Sequence, residues 1–309
     1  MPASSRRRNP FLLAPMLTAF VLVISAVVGF FSLDAMTGIW PYITAGILTL
    51  MAFGCPLAVF FICRGIGTVS RLGLRRAGGR ELGLAAAATA VLILQNAILK
   101  LGIFRGAYDG VTYELFGSPF SGNVTSVWEL LAALVTLVLL PATAEELFFR
   151  GAVVYEYRFS GVLGQMLMSS LLFAFMALDF SRFFVSLLEG LLLFTVSFLT
   201  GSLFFSIAVH ATCNLFALFA EKYLWMMSAS TGGRTAFWFL IVSFYLLSLT
   251  LFFILAEKSL RRCALSADTP APQVPPEKRP VVIYDILSAP PLMGDILVFV
   301  VFAVIALFL

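Results

Sequence analysis

Histidine is the scarcest ionisable residue in this chain: 309 residues contain one, His210. A catalytic zinc site draws on three protein ligands, typically two or three of them histidines, so no catalytic metal and no cofactor is expected. Charge is scarce as well. Asp, Glu, Lys and Arg make up 12% of the residues, against roughly 25% in a soluble domain, which excludes an ordinary water-soluble fold. Four cysteines, Cys55, Cys63, Cys213 and Cys263, show no CxxC spacing. Three of them fall in apolar runs, where a thiol behaves as a small hydrophobe, so no disulfide framework is implied.

What is plentiful is apolar surface. Hydrophobic residues make up 61% of the chain, and its mean hydropathy is +1.02. The apolar blocks are about 20 residues long and lack the alternation of barrel strands, so they read as helices that satisfy their own backbone in lipid. The expected fold class is all-α: a polytopic integral membrane protein of about eight transmembrane helices, with residues 292–309 as a candidate ninth. The net charge of +4 and pI near 9.0 do not point to nucleic acid. The basic residues sit in short loops between spans, where they set topology.

In chain order, Arg6, Arg7 and Arg8 precede an apolar run over 11–33, too long for a signal-peptide core and read as a retained first span with a cytoplasmic N-terminus. Further spans are expected over 42–63 and 82–104. A Gly-, Ser- and Pro-punctuated loop follows at 105–123. The fourth span starts near 125, and its helix is expected to run to about 157. Runs over 162–178, 183–199, 202–220 and 236–256 complete the eight. A proline-rich stretch, 266–280, reads as an extended linker. Under this topology only Lys100, Arg105, Arg182, Lys222 and Arg234 of the 20 basic residues fall outside or within spans, which fits a plasma membrane of bacterial type. The chain divides into an N-terminal three-helix region (1–123), a core membrane region (124–262), the linker (263–291) and the terminal apolar segment (292–309).

The most informative stretch is PATAEELFFRGAVVYEY, residues 141–157. Ionised side chains cost roughly 2.5–3.5 kcal/mol each at bilayer centre, so Glu145, Glu146 and Arg150 at the end of an apolar run need an explanation. Glu146 and Arg150 are four apart, in the favoured acid-before-base order for a helical ion pair. Glu145 is rotated about 100° from Glu146 and is left to face a cavity. The alternative is a helix end in the interfacial zone with all three groups solvated. Similarly, His210 and Asn214 lie four apart on one helical face. Each can bond a neighbouring helix, the usual role of a lone intramembrane histidine, or a substrate carbonyl. Asp179 and Arg182, three apart at a helix end, read as a local ion pair.

These residues resemble the CAAX prenyl protease and bacteriocin-processing family of intramembrane proteases, also called the type II CAAX protease or Abi family. Its signature is EExxxR on one span, FxxxH on the next, and HxxxN or HxxxD on a later one. Glu145, Glu146 and Arg150 match the first motif, and His210 with Asn214 the third. The second departs: in SSLLFAFMALDF, the position of the expected histidine holds Ala177, with Asp179 two residues on. The resemblance covers about residues 130–219. It implies peptide hydrolysis within the membrane, with Glu145 as general base, Glu146 and Arg150 in support, and His210 with Asn214 as oxyanion donors. It also implies a peptide or membrane-protein substrate as partner. Because Ala177 replaces the histidine, a non-catalytic scaffold or immunity-type protein of the same fold remains open. A transporter would need charges along several spans, and beyond the cluster there are mainly Lys100, Asp179 and Glu189.

Overall fold

The computed structural model describes residues 11–29, 36–65, 79, 81–104, 113–115, 118–120, 124–230, 234–265 and 279–306. The basic N-terminus, most of the first arginine-rich loop and nearly all of the proline-rich linker lie outside them. The elements in order are α1 (Leu13–Gly29), α2 (Trp40–Arg64), α3 (Glu81–Ile103), β1 (Tyr113–Leu115), β2 (Ser118–Phe120) and α4, a continuous helical run over 127–160. Then come α5 (Gly161–Phe175), α6 (Phe180–Thr200), α7 (Leu203–Phe219), α8 (Glu221–Ala229), α9 (Arg234–Leu265), α10 (Arg279–Leu287) and α11 (Pro290–Ala306). The fold is all-α, as expected. The one difference of class lies in the loop over 105–123, where β1 and β2 pair as an antiparallel hairpin with Tyr113 opposite Phe120.

Among the described residues, five helical stretches are long and apolar enough to cross a membrane, or seven if the bent pairs α7–α8 (54°) and α10–α11 (49°) each count as one span. The expected eight is not reached on this count. At 17 residues α1 is short, and α4 and α5 form one unbroken helical stretch of 49 residues, Val127–Phe175. That stretch nevertheless has two arms, since α5 packs back on the Leu147–Val153 part of α4. The reversal is made at Gly161, whose φ of +82° is a conformation that only glycine adopts without strain. This is the architecture of an integral membrane protein.

Two prolines sit inside long helices, where the ring removes a hydrogen bond and clashes with the preceding turn. In both cases a wider π-helical turn comes just before: Leu50–Gly54 ahead of Pro56, and Leu134–Leu139 ahead of Pro141. Such bulges absorb the missing donor without ending the helix. Hydroxyls are handled inside the helices too. Thr18, Thr49, Thr136 and Thr195 each donate to the carbonyl four residues earlier, which removes a polar group from lipid.

The core has two main parts. One gathers Phe53, Phe148, Phe149 and Phe173 with Leu292 and Phe299, so that α11 is packed into the bundle against α1 and α5. The other joins α3, α6, α7 and α9 through residues such as Leu92, Leu193 and Val209. Three elements meet at Glu156, which is buried: it accepts Arg64 Nε at 3.0 Å and the Leu13 N–H at 3.3 Å, tying the end of α2 and the start of α1 to the end of α4.

Candidate active site

The acidic motif lies where α4 changes winding. Leu140–Glu146 is α-helical and Leu147–Val153 is π-helical, a distortion often found at functional positions. Glu146 and Arg150 nonetheless pair as their spacing suggests, Oε1 to Nη1 at 2.8 Å, with neither side chain exposed. The interfacial, solvated alternative is therefore ruled out for this pair. Arg150 is held further by a hydrogen bond from Nη2 to the Gly190 carbonyl of α6 at 3.1 Å, and its guanidinium lies 4.6 Å from the centre of the Phe173 ring on α5. Such a cation over an aromatic face gains roughly 2 kcal/mol when desolvated.

His210 enters from α7 and lies between the two glutamates. Its Nδ1 is 3.2 Å from Glu146 Oε1, and its Nε2 is 3.8 Å from Glu145 Oε2. The edge of Phe173 fixes the ring from the third side, with centroids 6.0 Å apart and planes at 87°. Glu145 itself is the accessible member of the cluster, its side chain 21% exposed against zero for Glu146. The 100° rotation expected between neighbours on a helix thus separates a buried, paired carboxylate from an available one.

Four of the five residues singled out from the sequence, Glu145, Glu146, Arg150 and His210, meet in this cluster. Asn214 stands one turn beyond His210 on α7, half-buried, and makes no hydrogen bond to the other four. Ala177 does not lie on a helix. Here α5 ends at Phe175, and Met176 to Leu178 form a turn whose amides bond three residues back, with Leu178 at φ +49°. Asp179 serves the backbone of the next helix. It is the N-cap of α6, its Oδ1 accepting the Arg182 N–H at 2.9 Å, so the expected pairing of Asp179 with Arg182 runs through the backbone.

Two participants escaped the sequence reading. Glu189 on α6, counted there only among scattered intramembrane charges, directly precedes the Gly190 whose carbonyl bonds Arg150. Its position as a lone carboxylate in an apolar run was the available signal. Gly190 beside it has no side chain for a physical reason: a Cβ there would sit 3.0 Å from Cα and Cβ of Ser170. That close approach brings α6 near enough for its carbonyl to reach Arg150.

A metal ion does not fit this donor set. Among the described residues no group of three or more His, Cys, Asp and Glu is arranged to hold one, and Glu146 is already engaged by Arg150 and His210.

Fold and site together define a polytopic, all-helical membrane protein with a glutamate–arginine–histidine cluster buried inside its bundle. Residues 127–216 match the family model described as Type II CAAX prenyl endopeptidase Rce1-like. The matched segment runs from the start of α4 into α7 and contains every motif position discussed above. No curated protein and no solved structure matches the chain.

Proposed function

We propose that the chain is an intramembrane endopeptidase that hydrolyses a peptide bond of a membrane-associated substrate. The observation that carries this reading is the division of the two glutamates: Glu146 is buried and locked to Arg150 and His210, while Glu145 is accessible and faces His210 Nε2. In the proposed reaction Glu145 takes a proton from water, and the hydroxide adds to the scissile carbonyl carbon. With a carboxylate near each ring nitrogen, the doubly protonated His210 has an acceptor on either side. Its Nε2–H, held in direction by the contacts of the ring with Glu146 and Phe173, donates to the oxyanion that develops beside Glu145, with Asn214 as a second donor. A donor of this kind contributes about 2.7–4 kcal/mol in a water-excluded site. On collapse, the C–N bond breaks and the proton held by Glu145 passes to the leaving amine. The likeness of residues 127–216 to type II CAAX prenyl endopeptidases supports the reaction class. The proposed setting is a bacterial plasma membrane with the N-terminus cytoplasmic.

Ala177 favours a second reading, a scaffold of the same fold that binds peptides or membrane partners without cleaving them. The two are separated by incubating detergent-purified wild type, Glu145→Gln and Ala177→His with fluorogenic membrane-derived peptides, with and without a chelator. Cleavage by wild type that survives chelation and is lost in Glu145→Gln supports the protease. Silence of wild type with cleavage by Ala177→His supports the scaffold, an inactive descendant of a protease.

A further inference from the structure

A cavity of about 380 Å³ opens between the end of α4, the start of α5, the end of α6 and the start of α7. It is separate from the cluster around Glu145, meeting it only through Arg150. No carboxylate lines it, yet two guanidiniums do. Arg150 is 4% exposed, and its Nε–H is buried without a hydrogen-bond partner. Arg158 lies over the rings of Tyr155 and Phe159 at 4.0 and 4.3 Å and spends one N–H on the Tyr155 carbonyl, leaving the rest of its fork for a ligand. Gln165, 8% exposed, adds an amide to the wall. The first turn of the 17-residue α7 begins at the cavity; its Ser202 and Phe205 N–H groups are already bonded, to Thr200 Oγ1 and the Ser202 carbonyl, but the helix dipole there still favours an anion.

The remaining wall is apolar, with Val154, Phe194, Phe198 and Leu203. We infer that this cavity binds the phosphate headgroup of an anionic membrane lipid, with the start of its acyl chain against Phe194 and Phe198. The charge count sets the type of headgroup. The charge of Arg150 is balanced by Glu146, whereas no carboxylate among the described residues pairs with Arg158, so the site takes one net negative charge. The donors that Arg150, Arg158 and Gln165 bring to the lining outnumber what the two oxygens of a carboxylate commonly accept and suit a phosphodiester. The volume is far more than a free phosphate fills, and the aromatic wall has no use for one.

The test is native mass spectrometry of the full chain in detergent, stripped of lipid and titrated with dioctanoyl phosphatidylglycerol. One saturable copy is expected on wild type. Arg158→Gln weakens it tenfold or more, Val154→Trp abolishes it by filling the cavity, and Lys222→Gln, far from the site, leaves it unchanged. Val154→Trp alters no charge, so it tests the site even where Arg158→Gln lowers the yield. Wild-type binding in both cavity variants overturns the proposal, as does equal binding of dioctanoylglycerol, which has no phosphate. Displacement by inorganic phosphate at equal concentration overturns it in favour of a free-phosphate site. Displacement by an N-acetyl tripeptide acid but not by its amide overturns it in favour of a peptide site.

Discussion

Glu146 and His210, 64 residues apart in sequence, share a contact through a single oxygen. The Oε1 atom that takes His210 Nδ1 at 3.2 Å also takes Arg150 Nη1 at 2.8 Å. One acceptor atom therefore positions both the histidine and the arginine, and α4 is joined to α7 at that point.

Removing this acceptor unbalances a buried charge. Glu146→Ala leaves the Arg150 guanidinium desolvated and unpaired, a change that costs about 3–5 kcal/mol. A fall in thermal midpoint and in monodisperse yield is expected by fluorescence-detected size exclusion. The double change Glu146→Leu with Arg150→Met removes both charges and should regain much of the stability while leaving His210 without its partner, so cleavage stays absent.

Glu145 differs: its ionic contact, 3.8 Å to His210 Nε2, is longer and more exposed than the buried Glu146–Arg150 pair at 2.8 Å. Glu145→Gln is expected to keep the wild-type melting curve and to lower peptide cleavage by about 10²–10⁴-fold, the usual contribution of a positioned base. A matching loss of stability would show that Glu145 is structural instead.

Gly190 is a test of close packing. The Cβ of Gly190→Ala meets backbone as well as side chain of Ser170 at 3.0 Å and Phe173 Cδ1 at 3.3 Å, so α5 and α6 must part. Overpacking of this kind costs about 1–3 kcal/mol. Since the Gly190 carbonyl also holds Arg150, cleavage should drop even below the melting transition, which an assay at low temperature reads directly.

Asp295 on α11 is expected to cost stability as it stands. It is fully buried, and neither carboxylate oxygen has a hydrogen-bond partner. Asp295→Leu should raise the thermal midpoint, since an unsatisfied buried polar group costs about 1–3 kcal/mol. An unchanged or lower midpoint would mean that the carboxylate has a stabilising partner in the membrane.

Much of this was legible in the chain wherever the relevant distance is local. The Glu146–Arg150 pair follows from helical spacing alone, and most of the apolar runs coincide with a helix to within a few residues, although α9 runs nine residues past the expected end at 256 and the count of eight spans is not reached. The meeting of His210 with the glutamates is a tertiary fact, reached from the sequence only through resemblance to a family. Non-local contacts had no sequence signal at all: Arg64 with Glu156 across 92 residues, or the carbonyl of Gly190 on Arg150 across 40. Asp179 was misjudged because an N-cap and the first residue of an ion pair have the same spacing. The difference lies in a backbone torsion, ψ 139° at Asp179, which starts a new helix after the turn over Met176–Leu178.

The packing of α1 against α11 has a consequence for biosynthesis. Among the described helices α1 is made ahead of its partner α11 by about 260 residues, and at about 5–20 residues per second the interval between them is on the order of tens of seconds. During that time the face of α1 that carries Leu17, Val21 and Leu22 must be sheltered by lipid or by the insertion machinery. Chains truncated before residue 290 would keep the glutamate–histidine cluster yet present an unclosed bundle to cellular quality control.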